Sequence, residues 1–527
     1  MIFADLHAHP FLRPFENRTS DVMSRDPNDT SSVWFEYDLP KCNLRHIIGD
    51  NVGFTTYSES DFTRAVLSSL RLLNVSLYPP ESGFFQIPNS TTVDKIISFL
   101  QLKDFAELEL SYIVSSFSKD IIKKLKSADY DYFEELKAQI SYLVNTQPFT
   151  PDPSKCVGTV YSQIKNASYT ILKKGADANP LTSDLTLQLL VSIEGGNCLW
   201  SNTRLANGNI WNGRDFNDHV TDASLQNYKA LNTQDYRNDV TKALVENTPE
   251  KMNQLWPAEV CNGVLQNLKT LLSTVKLFSF TLSHHYYNGL AGHCNSLQPL
   301  TALGLTDQQF GINSELTHLG YMVINELLKN NVVVDVKHMS WKARQSYYRF
   351  RKNNYPNIPI VWSHAAVSGR KSVGDAFVDT WKPNPFYTEP LNLFDDDIYE
   401  TVNSGGLIGI ELDQRINGVK SSGVETLWKQ FKYIAEQAAS LPNRLAGQTV
   451  WDCMCIGSDY DGIIHPVDDY KSYDDFKSLD DYLASHIKSY IAKPPRSFLP
   501  QDMLSADEIL AKLCFRNMTD FVKKHFK

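Results

Sequence analysis

Short apolar runs recur along the chain, and almost every one stops at a histidine or a carboxylate. Ile2 to Leu6 runs into His7-Ala8-His9, and Leu187 to Ile193 into Glu194-Gly195-Gly196. Val275 to Leu282 ends at Ser283-His284-His285, Val332 to Val336 at Lys337-His338, and Ile358 to Trp362 at Ser363-His364. Leu407 to Ile410 leads to Glu411-Leu412-Asp413, and Met454 to Ile456 to Gly457-Ser458-Asp459-Tyr460-Asp461-Gly462. Helical stretches such as Thr317–Lys329 and Glu425–Ala439 lie between them. Near-continuous apolar strands alternating with helices indicate a parallel sheet buried on both faces. With Asn74 to Tyr78 as a further strand, stopped by Pro79-Pro80, the runs number about eight, which closes a (β/α)8 TIM barrel.

The expected organisation is one α/β barrel over residues 1–527, with a mostly helical insertion at about 80–185 and a loop-rich one at about 371–400. Val93, Ile96, Ile97 and Leu100, then Leu136, Ile140 and Leu143, have helical spacing, and Pro148, Pro151 and Pro153 mark a connector. Residues 11–60 read as a long loop, and Asp61–Leu72 as a helix.

Charge narrows the function classes. The net charge is −9, from 51 basic and 60 acidic residues, and such a mild acidic excess argues against a nucleic-acid partner. No window approaches the roughly 18–20 apolar residues of a membrane-spanning helix. Asp5, His7 and His9 interrupt the start where a signal peptide needs its apolar core. The chain therefore reads as cytoplasmic, or as the mature form of an exported precursor. The eight cysteines include no Cys-x-x-Cys spacing, so neither a disulfide framework nor a thiolate zinc site is expected.

In a (β/α)8 barrel every strand opens at its C-terminal end onto one face, which carries the active site. His7, His9, Glu194, His284, His338, His364 and Asp459 all stand just past such ends. Residues two apart on a strand point the same way, about 6.5–7 Å apart, so His7 and His9 can reach one ion. Burying these groups together without a counter-ion would cost many kcal/mol. Imidazoles with a few carboxylates suit Zn²⁺ best, with other divalent first-row metals as alternatives. Six candidate ligands are too many for one tetrahedral ion that keeps a water, and suit two ions bridged by Glu194. His285, His293 and His318 read as structural histidines, Asp413 as a cap and Asp461 as a turn carboxylate. Of Asp459 and Asp461, Asp459 is the expected ligand, being first off the strand.

These motifs resemble those of the membrane (renal) dipeptidases, within the metal-dependent amidohydrolase-like barrels. They are DLHAHP at 5–10, SIEGG at 192–196, FTLSH at 280–284, GLT at 304–306, VDVKHMS at 334–340, PIVWSH at 359–364 and IGSDYDG at 456–462. The resemblance implies His7, Glu194 and Asp459 on one zinc, and His338, His364 and the shared Glu194 on the other. It implies His284 at the oxygen of the tetrahedral intermediate and an arginine for the substrate carboxylate, for which Arg370 is the candidate. The family has His-x-Asp at the first strand, where this chain has His9, so amino-group recognition differs here.

The expected function is hydrolysis of dipeptides by a hydroxide bridging two zinc ions, with Asp459 as proton carrier and activity falling below about pH 6. A related hydrolase of N-acyl amino acids, lactams or lactones is the alternative, and a non-catalytic binding barrel the third reading. The insertions are candidates for a lid or a homodimer contact.

Overall fold

The structure is a computed structural model. It describes residues 1–37, 55, 57–85, 119–127, 129–182, 184–208, 210–211, 258–297, 306, 308, 311–373, 385–418, 423–442 and 444–527. Its strands are β1 (Phe3–Ala8), β2 (Leu70–Leu77), β3 (Ser168–Ile171), β4 (Thr186–Glu194), β5 (Thr203–Arg204), β6 (Ile210–Trp211), β7 (Ser279–Thr281), β8 (Val333–Asp335), β9 (Val361–Ala365), β10 (Leu407–Ile410) and β11 (Met454–Ile456).

Eight of these close into a parallel barrel in the order β1, β2, β4, β7, β8, β9, β10, β11 and back to β1. The expected (β/α)8 barrel is the observed fold. β3 shares one edge of β4 with β7: it pairs with the start of that strand, Ser168 opposite Thr186, and β7 with its end, Thr281 opposite Glu194. β5 and β6 form a separate antiparallel pair.

β1 and β2 are buried along their whole length, as an apolar strand covered inside by the barrel core and outside by helices must be. The helices supply that cover through one apolar stripe each. In Ala258–Thr274 the buried residues Val260, Val264, Leu268 and Leu271 follow the helical period. Several motifs double as helix starts. Ser340, the last residue of VDVKHMS, caps Trp341–Asn354 by accepting from the Ala343 amide, and Thr317 caps His318–Lys329 through Gly320. Strand packing is tight at the barrel's end: a Cβ on Gly409 or on Gly457 would fall 2.0 Å from the Ser363 carbonyl oxygen.

Some boundaries differ from the sequence reading. The expected helix Asp61–Leu72 ends at Leu67, because Ser69 turns left-handed (φ 70°) and β2 begins at Leu70. The expected loop 11–60 opens with a short helix, Leu12–Glu16, and its residues 38–54 lie outside the described residues. The insertion at about 80–185 is helical at Lys119–Lys126 and Tyr132–Val144, and residues 86–118 lie outside the described residues. Residues 145–182 are turns, short 3-10 segments and β3, in keeping with their prolines. The insertion at about 371–400 ends in a helix, Asp395–Asn403, and its residues 374–384 lie outside the described residues.

Candidate metal centre

The ends of β1, β4, β8, β9 and β11 deliver His7, His9, Glu194, His338, His364 and Asp459 to one point, all buried. His7, His9, Glu194 and Asp459 each offer a ligand atom within 4.8 Å of the others, and so do Glu194, His338 and His364. Glu194 belongs to both groups. Its Oε2 lies 2.9 Å from His9 Nε2 and 3.4 Å from His7 Nε2, while its Oε1 lies 3.3 Å from His338 Nε2 and 3.6 Å from His364 Nε2. Asp459 spans the same two groups, with Oδ1 3.4 Å from His9 Nε2 and Oδ2 3.9 Å from His364 Nε2.

Backbone geometry brings these side chains round. His338 and Asp459 are left-handed, with φ of 64° and 60°. For residues other than glycine that conformation costs about 1–3 kcal/mol and gathers at functional sites. The Asp459 amide donates to the His7 carbonyl, which ties the β1 and β11 ends together.

The electrostatics fit a cation. Burial would push Glu194 up, but His7, His284 and His338 around it hold it well below the usual carboxylate range. Burial presses His338 down to about 3, and burial with His7 and Lys337 drives His364 well below its ordinary value. Both imidazoles are thus neutral at physiological pH, the form that binds metal. His9 is opposed by burial, yet Asp459 and Glu194 raise it to about 10, a measure of how strongly the two carboxylates call for positive charge.

Asp461 is placed differently from Asp459. Its Oδ2 accepts from the amides of Glu59 and Ser60 and from the Ser60 hydroxyl, and Arg13 Nε lies 2.9 Å from its Oδ1. Asp413 caps a short helix through the Arg415 amide.

Beside the centre lies a cavity of about 370 Å³ whose lining includes His285, Lys337, His338, Glu411, Arg415 and Asp459. Lys337 Nζ and Glu411 Oε2 form a buried pair at 2.6 Å, and Arg415 is held by Asp413 through Nη2 at 2.6 Å. Arg370 is not among the lining residues; its Nη2 donates to Thr388 Oγ1 at 3.2 Å. His284 Nε2 lies 3.8 Å from Glu194 Oε2, and its Nδ1 lies 2.8 Å from Glu81 Oε2.

Sequence reasoning passed over Glu81 and set His285, which lines the cavity, aside as structural. Glu81 is the first carboxylate after β2, so the strand-end rule that found the others would have found it, had Pro79-Pro80 not marked a bare stop.

Residues 217–490, just over half of the chain, match the family model described as membrane dipeptidase, peptidase family M19. The chain belongs to that family. As a member of the membrane dipeptidases it is a metallo-dipeptidase, a metal-dependent hydrolase of small dipeptide substrates. The matched span carries His284, His338, His364 and Asp459, while His7, His9 and Glu194 come from ahead of it and meet them in space.

One solved structure shares the fold, and a second is more distantly similar. A metallopeptidase from Rhodobacter sphaeroides, liganded with a phosphinate mimic of the dipeptide L-Ala-D-Ala, is 10% identical, with a TM-score of 0.51 over 100% of this chain and 99% of that one. The probable dipeptidase PvdM from Pseudomonas aeruginosa is 12% identical, with a TM-score of 0.44 over 97% of each chain. No curated protein matches the chain. Among the described residues no helix is long and apolar enough to cross a membrane.

Proposed function

We propose that this metallo-dipeptidase works with two divalent ions, zinc by the chemistry of its donors. The observation that carries the reading is the division of Glu194, whose two carboxylate oxygens each face a separate histidine pair. His7, His9 and Asp459 would hold one ion with Glu194, and His338 and His364 the other. Such ions supply a nucleophilic water at neutral pH and polarise the scissile carbonyl.

The chain's own groups do the rest. Asp459, with one oxygen toward each histidine pair, accepts the proton of the attacking water and passes it to the leaving amine. His284 Nε2 faces the centre and donates to the oxygen that gains charge as the carbonyl becomes tetrahedral, a contact worth about 3–4 kcal/mol in comparable sites. Arg415, which lines the cavity, is the cation for the substrate carboxylate in place of Arg370.

Metal content measured with turnover tests the reading, using dipeptides with L- and D-residues at the C-terminus and N-acyl amino acids. Two ions per chain and cleavage confined to dipeptides are expected. Full turnover with a single ion per chain would overturn the binuclear assignment. A KM raised by R370M and unmoved by R415M would return the carboxylate to Arg370.

A further inference from the structure

His284 does not stand alone. The segment after β2, Tyr78-Pro79-Pro80-Glu81, comes up beside it and encloses it on two sides. The Tyr78 ring meets the His284 ring edge to face, 4.7 Å between centroids and 70° between planes. Glu81, 2% exposed, presses its carboxylate against the other side. Oε2 lies 2.8 Å from His284 Nδ1 and accepts from the His285 amide at 3.3 Å, and Oε1 accepts from the Tyr286 amide at 3.1 Å. The Tyr78 hydroxyl lies 3.4 Å from Oε2 and accepts from the Glu81 amide at 3.1 Å. Two prolines fix the backbone φ immediately before Glu81, so little of this placement is left to loop motion.

An ionised carboxylate only accepts hydrogen bonds. With two backbone N–H groups and the imidazole all directed at Glu81, the His284 Nδ1 carries its proton toward Glu81, and the ring plane is set by that contact. Nε2 is then aimed along one line, toward Glu194 and the metal centre. No other carboxylate among the described residues is ion-paired with His284 Nδ1.

The geometry points to Glu81 as the positioning residue of the hydrolytic reaction: it holds His284 so that Nε2 meets the oxygen of the tetrahedral intermediate. The inference rests on the role given to His284 above. Glu81 is in none of the candidate ligand groups and does not line the cavity, so its effect should reach kcat through His284 and leave metal binding alone. Misplacing a reacting group by about 1 Å can cost about 100-fold in rate.

The test compares E81Q, E81A and H284A in the metal-loaded enzyme on one dipeptide substrate. A glutamine keeps the volume but offers one acceptor oxygen where the carboxylate offers two, so it cannot serve both the imidazole and the Tyr286 amide. E81Q is expected to lower kcat about 10- to 100-fold, with KM within threefold and metal content unchanged, and the fold retained at a somewhat lower Tm. Added formate is expected to restore part of the E81A activity and none of the H284A activity. If E81A does not fold, E81Q decides alone. A kcat within twofold of wild type in E81Q, or a loss matched by loss of metal, would overturn the inference. Full activity in H284A would instead overturn the role of His284 itself.

Discussion

The Ser363 hydroxyl stands between Asp335 and His364, donating to Asp335 Oδ2 at 2.5 Å and lying 2.8 Å from His364 Nδ1. Since that hydroxyl spends its proton on Asp335, it accepts the Nδ1 proton of His364, and the Nε2 lone pair is left facing Glu194. Asp335 also accepts from the Thr281 hydroxyl and from the amides of Lys337 and Ser363, which locks β7, β8 and β9 together. Asp5 makes the matching clamp across β1 and β11, accepting from the Ser458 hydroxyl, the Ser458 amide and the His7 amide. Removing such a support to a ligand histidine typically costs 10–100-fold in metal affinity. S363A should therefore weaken metal binding by about 10–100-fold while the barrel stays folded. Chelator competition reads this directly, and an unaltered affinity would show that the relay does not orient His364.

Gly462 makes room for Asp459. A Cβ at this position would fall 2.0 Å from Asp459 Oδ1 and 2.8 Å from the Asp459 carbonyl oxygen. G462A must therefore push the carboxylate off its line toward His9 and His7. Turnover should fall by about 100-fold, as for a displaced reacting group, with a much smaller change in thermal stability. Wild-type kcat in G462A would mean that Asp459 does not need this position.

The two aspartates of the Asp459-Tyr460-Asp461 turn should separate cleanly on mutation. Asp461 receives three hydrogen bonds from Glu59 and Ser60 and an ion pair from Arg13, and it belongs to none of the candidate ligand groups among the described residues. D461N should retain metal and lose about 1–3 kcal/mol of stability, the usual cost of an unmatched buried polar group. D459N should retain the fold and lose turnover. Denaturant midpoints beside metal analysis check both, and metal loss in D461N alone would reverse the assignment.

The barrel was legible because its strands are buried on both faces and therefore apolar without interruption, and because the candidate ligands sit where those runs stop. His7, Glu194, His338 and His364 needed only that rule. The partners behind them did not show. Ser363 and Asp335 look like ordinary strand residues until β8 and β9 are paired, and Glu81 is 203 residues from the ring it meets. Arg370 follows the His364 motif along the chain, whereas Arg415, from the β10 side, is among the residues that line the cavity. β3 escaped notice because Ser168 to Ile171 is short and only partly buried.

A half-buried acid away from the centre, with both carboxylate oxygens shielded from solvent, gives a pH signature of its own. Glu16 ends the helix Leu12–Glu16, and neither of its carboxylate oxygens has a hydrogen-bond partner among the described residues. Burial, and then Glu135, raise it from 4.5 to about 8 against the opposing pull of Arg18 and Lys124. Between those values the folded chain holds a proton that the unfolded chain has released. Stability from this site is thus present at low pH and is lost as pH rises toward 8. E16Q stays neutral throughout, so its Tm should match the wild type near pH 5 and exceed it increasingly up to pH 8. Two melting curves that run parallel across this range would mean that Glu16 is ionised in the folded protein, with Lys124 rather than a proton balancing its charge.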